Sequence, residues 1–213
     1  MTYLKSTIAI FLISVITISC SSSMIIGTWK KSENQELKYN KIAILGISHS
    51  SSYRKIFEQS IEEQMLNFGY AAEGALDFLS PNENEDNTSP EIVMAFFESA
   101  KVDAVLSIHL LEIDDDRRYV PGSVYFMPYY NAYSFYDYYY DMYDYVYSPA
   151  YYAGELDVFL EANLFDFATG ELLWTAQTET TDLNSVAEIA NNFANVLVKD
   201  LYKSKVLYSP QEN

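Results

Sequence analysis

The stretch KIAILGISHSSSYRKIFEQSIEEQMLNFGY (Lys41–Tyr70) decides the fold. Its first eight residues are a short apolar run rich in strand formers, which suits a strand buried on both faces. Ser50, Ser51 and Ser52 then offer an N-cap. Tyr53, Phe57, Ile61, Met65 and Phe68 recur at helical spacing, and Gly69 stands where a left-handed residue closes a helix. A strand feeding an amphipathic helix opens a βαβ unit, whose right-handed crossover returns the chain to a parallel neighbour.

Outward from this unit, a short strand is expected around Ala75–Leu79, and SPNENEDNTS (Ser80–Ser89) reads as a polar loop. Thr88, Ser89, Pro90 and Glu91 carry the cap and first-turn chemistry of a second helix, with Ile92, Val93, Phe96 and Phe97 as its apolar positions. VDAVLSIHLLEI (Val102–Ile113) alternates Val102, Ala104, Leu106, Ile108 and Leu110 against Asp103, Ser107 and His109, the pattern of a long strand. Further on, Leu156, Val158, Leu160, Ala162 and Leu164 mark one face of a hairpin arm. Ala168–Gly170 is its turn, and Leu172, Trp174 and Ala176 face one side of the return arm. Ser185 and Glu188 form a capping box for a last helix, whose apolar face is Val186, Ile189, Phe193, Val196, Leu197 and Leu201. The fold class is therefore α/β (α+β): a single mixed sheet of about five strands with three amphipathic helices, ordered β-α-β-α-β-insert-β-β-α. One domain is expected over residues 40–207, with a tail at 208–213.

The chain has 213 residues and a formal net charge of −17. That balance excludes nucleic acid, whose phosphates repel an acidic surface. Anionic headgroups repel it too, so membrane attachment needs a separate cause. MTYLKSTIAIFLISVITISC (Met1–Cys20) supplies one: Lys5, an apolar run from Ile8 to Ile18, then Ser19 and the only cysteine, Cys20. The run is about half the roughly 20 residues that a spanning helix needs. It reads as a signal peptide over residues 1–19. A lone cysteine after a small residue resembles the bacterial lipobox, with Thr17 in place of the usual Leu. Lipidation at Cys20 would leave palmitate-class chains, each adding about 0.8 kcal/mol per buried CH₂. Residues 20–39 then read as a lipid-proximal tether, with Trp29 as its main apolar exception.

Taken together, Arg54, Phe57, Glu58 and Gly69, then Asp103, Ala104 and Val105, then Leu164, Asp166, Thr169, Gly170 and Trp174 resemble the pattern of an uncharacterised group of bacterial envelope lipoproteins. Their core is similar to the α/β domain of curli-secretion lipoproteins, penicillin-binding-protein activator lipoproteins and the TolB amino-terminal domain. The resemblance spans about Lys41 to Leu201. It implies a non-catalytic accessory or assembly role in the envelope, with a self-assembling secretion component as the alternative. Ser21 after the cysteine favours the outer membrane by analogy.

No phosphate-binding glycine loop and no G-x-S-x-G nucleophile elbow is present. No catalytic set, cofactor or metal is expected. His49 follows the first strand, where α/β sheets often present ligands, and reads as a polar residue in a strand-to-helix turn. His109 reads as a satisfied or exposed strand residue. Asp114, Asp115 and Asp116 lack the order of a calcium loop and are followed by Arg117 and Arg118. Asp166, before the hairpin turn, reads as an acceptor for backbone amides.

The functional signal is aromatic. Between Tyr119 and Tyr152 stand 14 of the chain's 20 tyrosines, interleaved with Asp137, Asp141 and Asp144. Tyrosine offers large amphipathic area with few rotors to freeze. A Tyr-rich insert over residues 119–153 is therefore the expected contact surface, with Tyr129, Tyr130, Tyr136, Tyr139, Tyr140 and Tyr143 as candidates. An envelope protein is the expected partner, then a glycan, whose rings also stack on aromatic faces. A headgroup-level aromatic patch is a further use of such a segment.

Overall fold

The computed structural model describes residues 22–31, 37–48, 50–78, 89–115, 134–144, 156–181 and 185–208. Within them lie strands β1 (Ser22–Lys30), β2 (Ile42–Ile47), β3 (Ala72–Gly74), β4 (Ala104–Asp115), β5 (Leu156–Asp166) and β6 (Leu172–Thr181). The helices are α1 (Ser51–Asn67), α2 (Ala75–Phe78), α3 (Pro90–Ser99), α4 (Phe135–Asp144) and α5 (Val186–Ser204). The six strands form one mixed sheet in the order β1-β6-β5-β4-β2-β3. β2 runs parallel to β3 and β4, and β4, β5, β6 and β1 continue antiparallel.

The α/β expectation therefore holds, with two differences in detail. The stretch 20–39 is not a tether along its length. Ser22–Lys30 forms the edge strand β1 on β6, Trp29 sits opposite Thr175, and Leu37 pairs with Leu207. A local signal was present in Met24, Ile25, Ile26 and Trp29, and Ile25 packs against the core. The strand expected at Ala75–Leu79 lies earlier, at Ala72–Gly74, and Ala75–Phe78 is helical.

Both faces of the sheet are covered. On one, Ile42, Ile44, Leu106, Ile108, Leu160, Leu164 and Trp174 pack under α1 and α5, through Ile61, Met65, Phe193, Leu197 and Leu201. On the other, Ala43, Leu45, Ile47, Val105 and Phe165 pack under α3 and α4. All six residues of β2 are buried, as its unbroken apolar run requires. α5 is capped as read: Ser185 Oγ accepts from Glu188 N at 3.2 Å. Its Asp200 Oδ2 accepts from the buried Trp174 Nε1 at 3.3 Å and from Thr28 Oγ1 at 3.1 Å, tying helix, core and edge strand together.

α1 turns its expected apolar face inward, with Ile61 and Met65 buried and Phe57 and Phe68 packed on the core, and adds two charged residues to it. Arg54 and Glu58 are buried beside Ile61 and Met65, while Tyr53 and Phe57 are half-buried. The reason lies in the sheet. β3 pairs only with Ile42–Ile44, so the Gly46 amide lies beyond its reach. Glu58 Oε1 accepts from that amide at 2.9 Å and from Arg54 Nη2 at 3.3 Å, and Oε2 accepts from Leu76 N at 2.9 Å. Burial pushes the Glu58 carboxyl above its ordinary value, against the downward pull of Arg54 and the two amides. Added Cβ atoms at Gly46 or Gly74 would press on this pair at 3.3–3.4 Å.

The hairpin turn is built as its residues imply. Asp166 Oδ1 accepts from Thr169 N at 2.8 Å and Thr169 Oγ1 at 2.9 Å, and Oδ2 accepts from Tyr39 Oη at 2.7 Å. Burial raises this carboxyl, but Tyr39 and Thr169 outweigh it and hold it below the usual range. Gly170 has φ +72°, and a Cβ there would fall 2.9 Å from Ser134 Cβ, just before α4. Asp103, beside the same turn through its carbonyl bond from Phe167 N, accepts from the Asn40 and Lys41 amides at 2.7 and 3.2 Å.

Replacing Glu58 by Ala is expected to lower the unfolding free energy by about 3–5 kcal/mol, because Arg54 is left buried without its partner. The double replacement Arg54→Met/Glu58→Met should lose less; urea denaturation of the two variants separates these outcomes.

Candidate functional site

The Tyr-rich segment holds a short helix. Ser134 and Asp137 cap it reciprocally: Asp137 N donates to Ser134 Oγ at 3.2 Å, and Ser134 Oγ donates to Asp137 Oδ2 at 2.8 Å. Phe135, Tyr138, Tyr139 and Met142 then recur at i, i+3, i+4 and i+7. The first three are buried against Phe97 and Phe165, each worth roughly 1.5–3 kcal/mol as buried side chains. Phe135 lies 5.4 Å from Phe165, 6.3 Å from Phe97 and 6.0 Å from Tyr139, ring centre to ring centre.

Below α4 the sheet carries a row of buried polar groups instead of aliphatic ones. Cross-strand pairing sets Ser107 beside Asn163, His109 beside Glu161, Glu161 beside Gln177 and Asn163 beside Thr175. Glu161 Oε2 accepts from Gln177 Nε2 at 2.6 Å, and Oε1 accepts from Asn163 Nδ2 at 2.8 Å. Asn163 Nδ2 also donates to Tyr138 Oη at 3.1 Å. Because that hydroxyl accepts from Asn163, its own proton is free for His109 Nδ1, 2.8 Å away. The Nε2 of His109 then carries the other proton, 3.7 Å from Glu161 Oε1. Burial lowers the His109 pKa, with Glu161 acting in the opposite direction, and the ring is neutral near pH 7. Asn163 Oδ1, Thr175 Oγ1 and Gln177 Oε1 complete the row.

The outer face of α4 is aromatic and acidic. Tyr136 is 39% and Tyr140 50% exposed, and their rings lie 6.4 Å apart at 25°. Tyr136 Oη donates to Glu91 Oε1 at 3.1 Å, a bond that raises its phenol pKa. Asp137 and Asp141 are exposed beside them.

The structure thus divides the aromatic candidates. Tyr136 and Tyr140 share one exposed face. Tyr139 is 2% exposed and belongs to the core, a correction that follows from its place one helical turn beyond Phe135. Tyr129 and Tyr130 lie outside the described residues, as do Cys20, His49, Asp116 and the side chains of Tyr143, Asp114 and Asp115. The polar row was not anticipated: His109 is largely enclosed, and its partners Tyr138 and Glu161 come from distant parts of the chain. One local signal was present. S-x-x-D at Ser134–Asp137 followed by helical spacing marks α4 inside what reads as tyrosine repetition.

These features define a mixed-sheet α/β domain with an aromatic helix laid over a polar row. No family model and no curated protein matches the chain. Among solved structures it is similar to the PelC dodecamer from Paraburkholderia phytofirmans, with 14% identity, 82% of this chain and 94% of that chain covered, and a TM-score of 0.46. It is also similar to lipoprotein GNA1162 from Neisseria meningitidis, with 15% identity, 76% and 98% covered, and a TM-score of 0.40. A PDZ domain protein from Parabacteroides distasonis shares 11% identity over 89% of this chain and 38% of that one, with a TM-score of 0.41. Likeness at this distance assigns neither family nor role.

Because folded His109 titrates below its unfolded value of about 6.5, the stability it contributes is complete above that value. It is lost as pH falls through the lower folded value, since the unfolded chain takes up the proton first. Wild type is expected to lose stability relative to His109→Gln as pH falls below about 6.5, read as midpoints of urea denaturation from pH 8 to pH 5.

Proposed function

We propose that this chain is a lipid-anchored, non-catalytic protein of the bacterial cell envelope, held at the outer membrane, that binds another envelope protein through the outer face of α4. The observation that carries this reading is the pair Tyr136 and Tyr140: exposed, mutually stacked, and mounted on a helix clamped from below by Phe135, Tyr138 and Tyr139. Such a pair loses little conformational freedom on binding, because its helix is already packed. The anchor rests on Met1–Cys20, where a short apolar run ends at a single cysteine. The non-catalytic part is supported by how the ionisable cluster is used. Glu161 is engaged by two amide side chains of the sheet, while His109 and Asn163 bond Tyr138 and so tie α4 to it.

Growth with a radioactive fatty acid should label the wild-type protein and spare Cys20→Ala; equal labelling of both removes the anchor. Independently, Tyr136→Ala/Tyr140→Ala should keep the wild-type circular dichroism spectrum yet lose the protein adduct formed when intact cells are crosslinked. A double variant that crosslinks as wild type does would remove the contact surface.

A further inference from the structure

The geometry points to an end-on stance at the bilayer, with the sheet end that carries Ser22 against the lipid headgroups and the α4 aromatic face held at the opposite end. This rests on the lipid-anchor reading of Cys20. It adds which surface meets the membrane and which is turned away from it.

Only Ser21 separates Cys20 from the first residue of β1. Two peptide units span at most about 7 Å, so an acylated Cys20 leaves Ser22 no room to stand off from the headgroups. The strand register then specifies which other residues share that level. Ser22 is opposite Thr181 at the end of β6, Thr180 is opposite Val158 near the start of β5, and Leu156 is opposite Asp115 at the end of β4. Met24, 56% exposed, lies on this end. β1 runs away from it, and at about 3.3 Å per residue the sheet's far end stands roughly 25–30 Å off.

α4 belongs to that far end. Ser134 abuts Gly170 in the β5–β6 turn, and Phe135 packs on Phe165, one residue before β5 ends. Tyr136 and Tyr140 follow within two helical turns. Short tether and strand direction therefore favour the same stance. It presents the aromatic face to partners in the adjoining aqueous space.

Acylation consumes the only native thiol, so a single introduced cysteine can be labelled specifically in the full-length lipidated protein. Met24→Cys and Ala168→Cys, each carrying a fluorophore, would be reconstituted in phosphatidylethanolamine–phosphatidylglycerol vesicles containing a headgroup spin-labelled lipid. Quenching at Met24→Cys several-fold greater than at Ala168→Cys is expected. A ten-residue Gly/Ser insertion between Ser21 and Ser22 should abolish that difference while the protein stays vesicle-bound. Equal quenching at the two sites, or a difference that survives the insertion, overturns the stance with the anchor intact. Mass spectrometry finding Cys20 without acyl chains overturns the anchor itself, and the stance with it.

Discussion

The antiparallel ladder between β4 and β5 holds the molecule together. It joins the parallel half, β3, β2 and β4, to the hairpin and edge strand, β5, β6 and β1, from Ala104 opposite Asp166 to Asp115 opposite Leu156. Its two strands are separated by residues 116–155, and closing a loop of that length costs roughly 3 kcal/mol plus a constant. The ladder offsets this through backbone bonds and two buried faces. α4 works in the same direction, because a helix from inside the loop buries Phe135, Tyr138 and Tyr139 on the sheet that the loop connects.

That double duty explains the composition of the segment. One face of α4 has to be apolar enough to stay on the sheet, and the other faces water beside Asp137 and Asp141. Tyrosine satisfies both conditions: its ring packs, and its hydroxyl finds a partner whether buried or exposed. Tyr138 illustrates the buried case, bonded between Asn163 and His109, and Tyr136 the exposed one, bonded to Glu91. The polar row beneath α4 engages the helix through Tyr138 Oη, which bonds both Asn163 Nδ2 and His109 Nδ1.

The residues that carry the resemblance to envelope lipoproteins are structural here. Arg54 and Glu58 complete the sheet beyond β3, Asp103 secures the entry to β2, and Asp166, Thr169 and Gly170 form the hairpin turn. Trp174 is buried and bonded to Asp200. Each satisfies a backbone amide, a turn or a core position. A pattern made of such residues specifies a scaffold.

Much of the fold was legible in neighbouring residues. The unbroken run of β2, the alternation in β4 and β5, the Asp166–Gly170 turn and the Ser50 and Ser185 caps each depend on chemistry within a few positions, so local sequence alone determined them. Packing decided the rest. Glu58 is buried because β3 stops at Gly74, and Tyr139 is core while Tyr140 is surface because α4 settles with Phe135 inward. His109, Tyr138, Glu161 and Asn163 meet only after three separate elements are assembled. Period and capping act over one helical turn, whereas the company a buried polar group keeps is set by strands far apart along the chain.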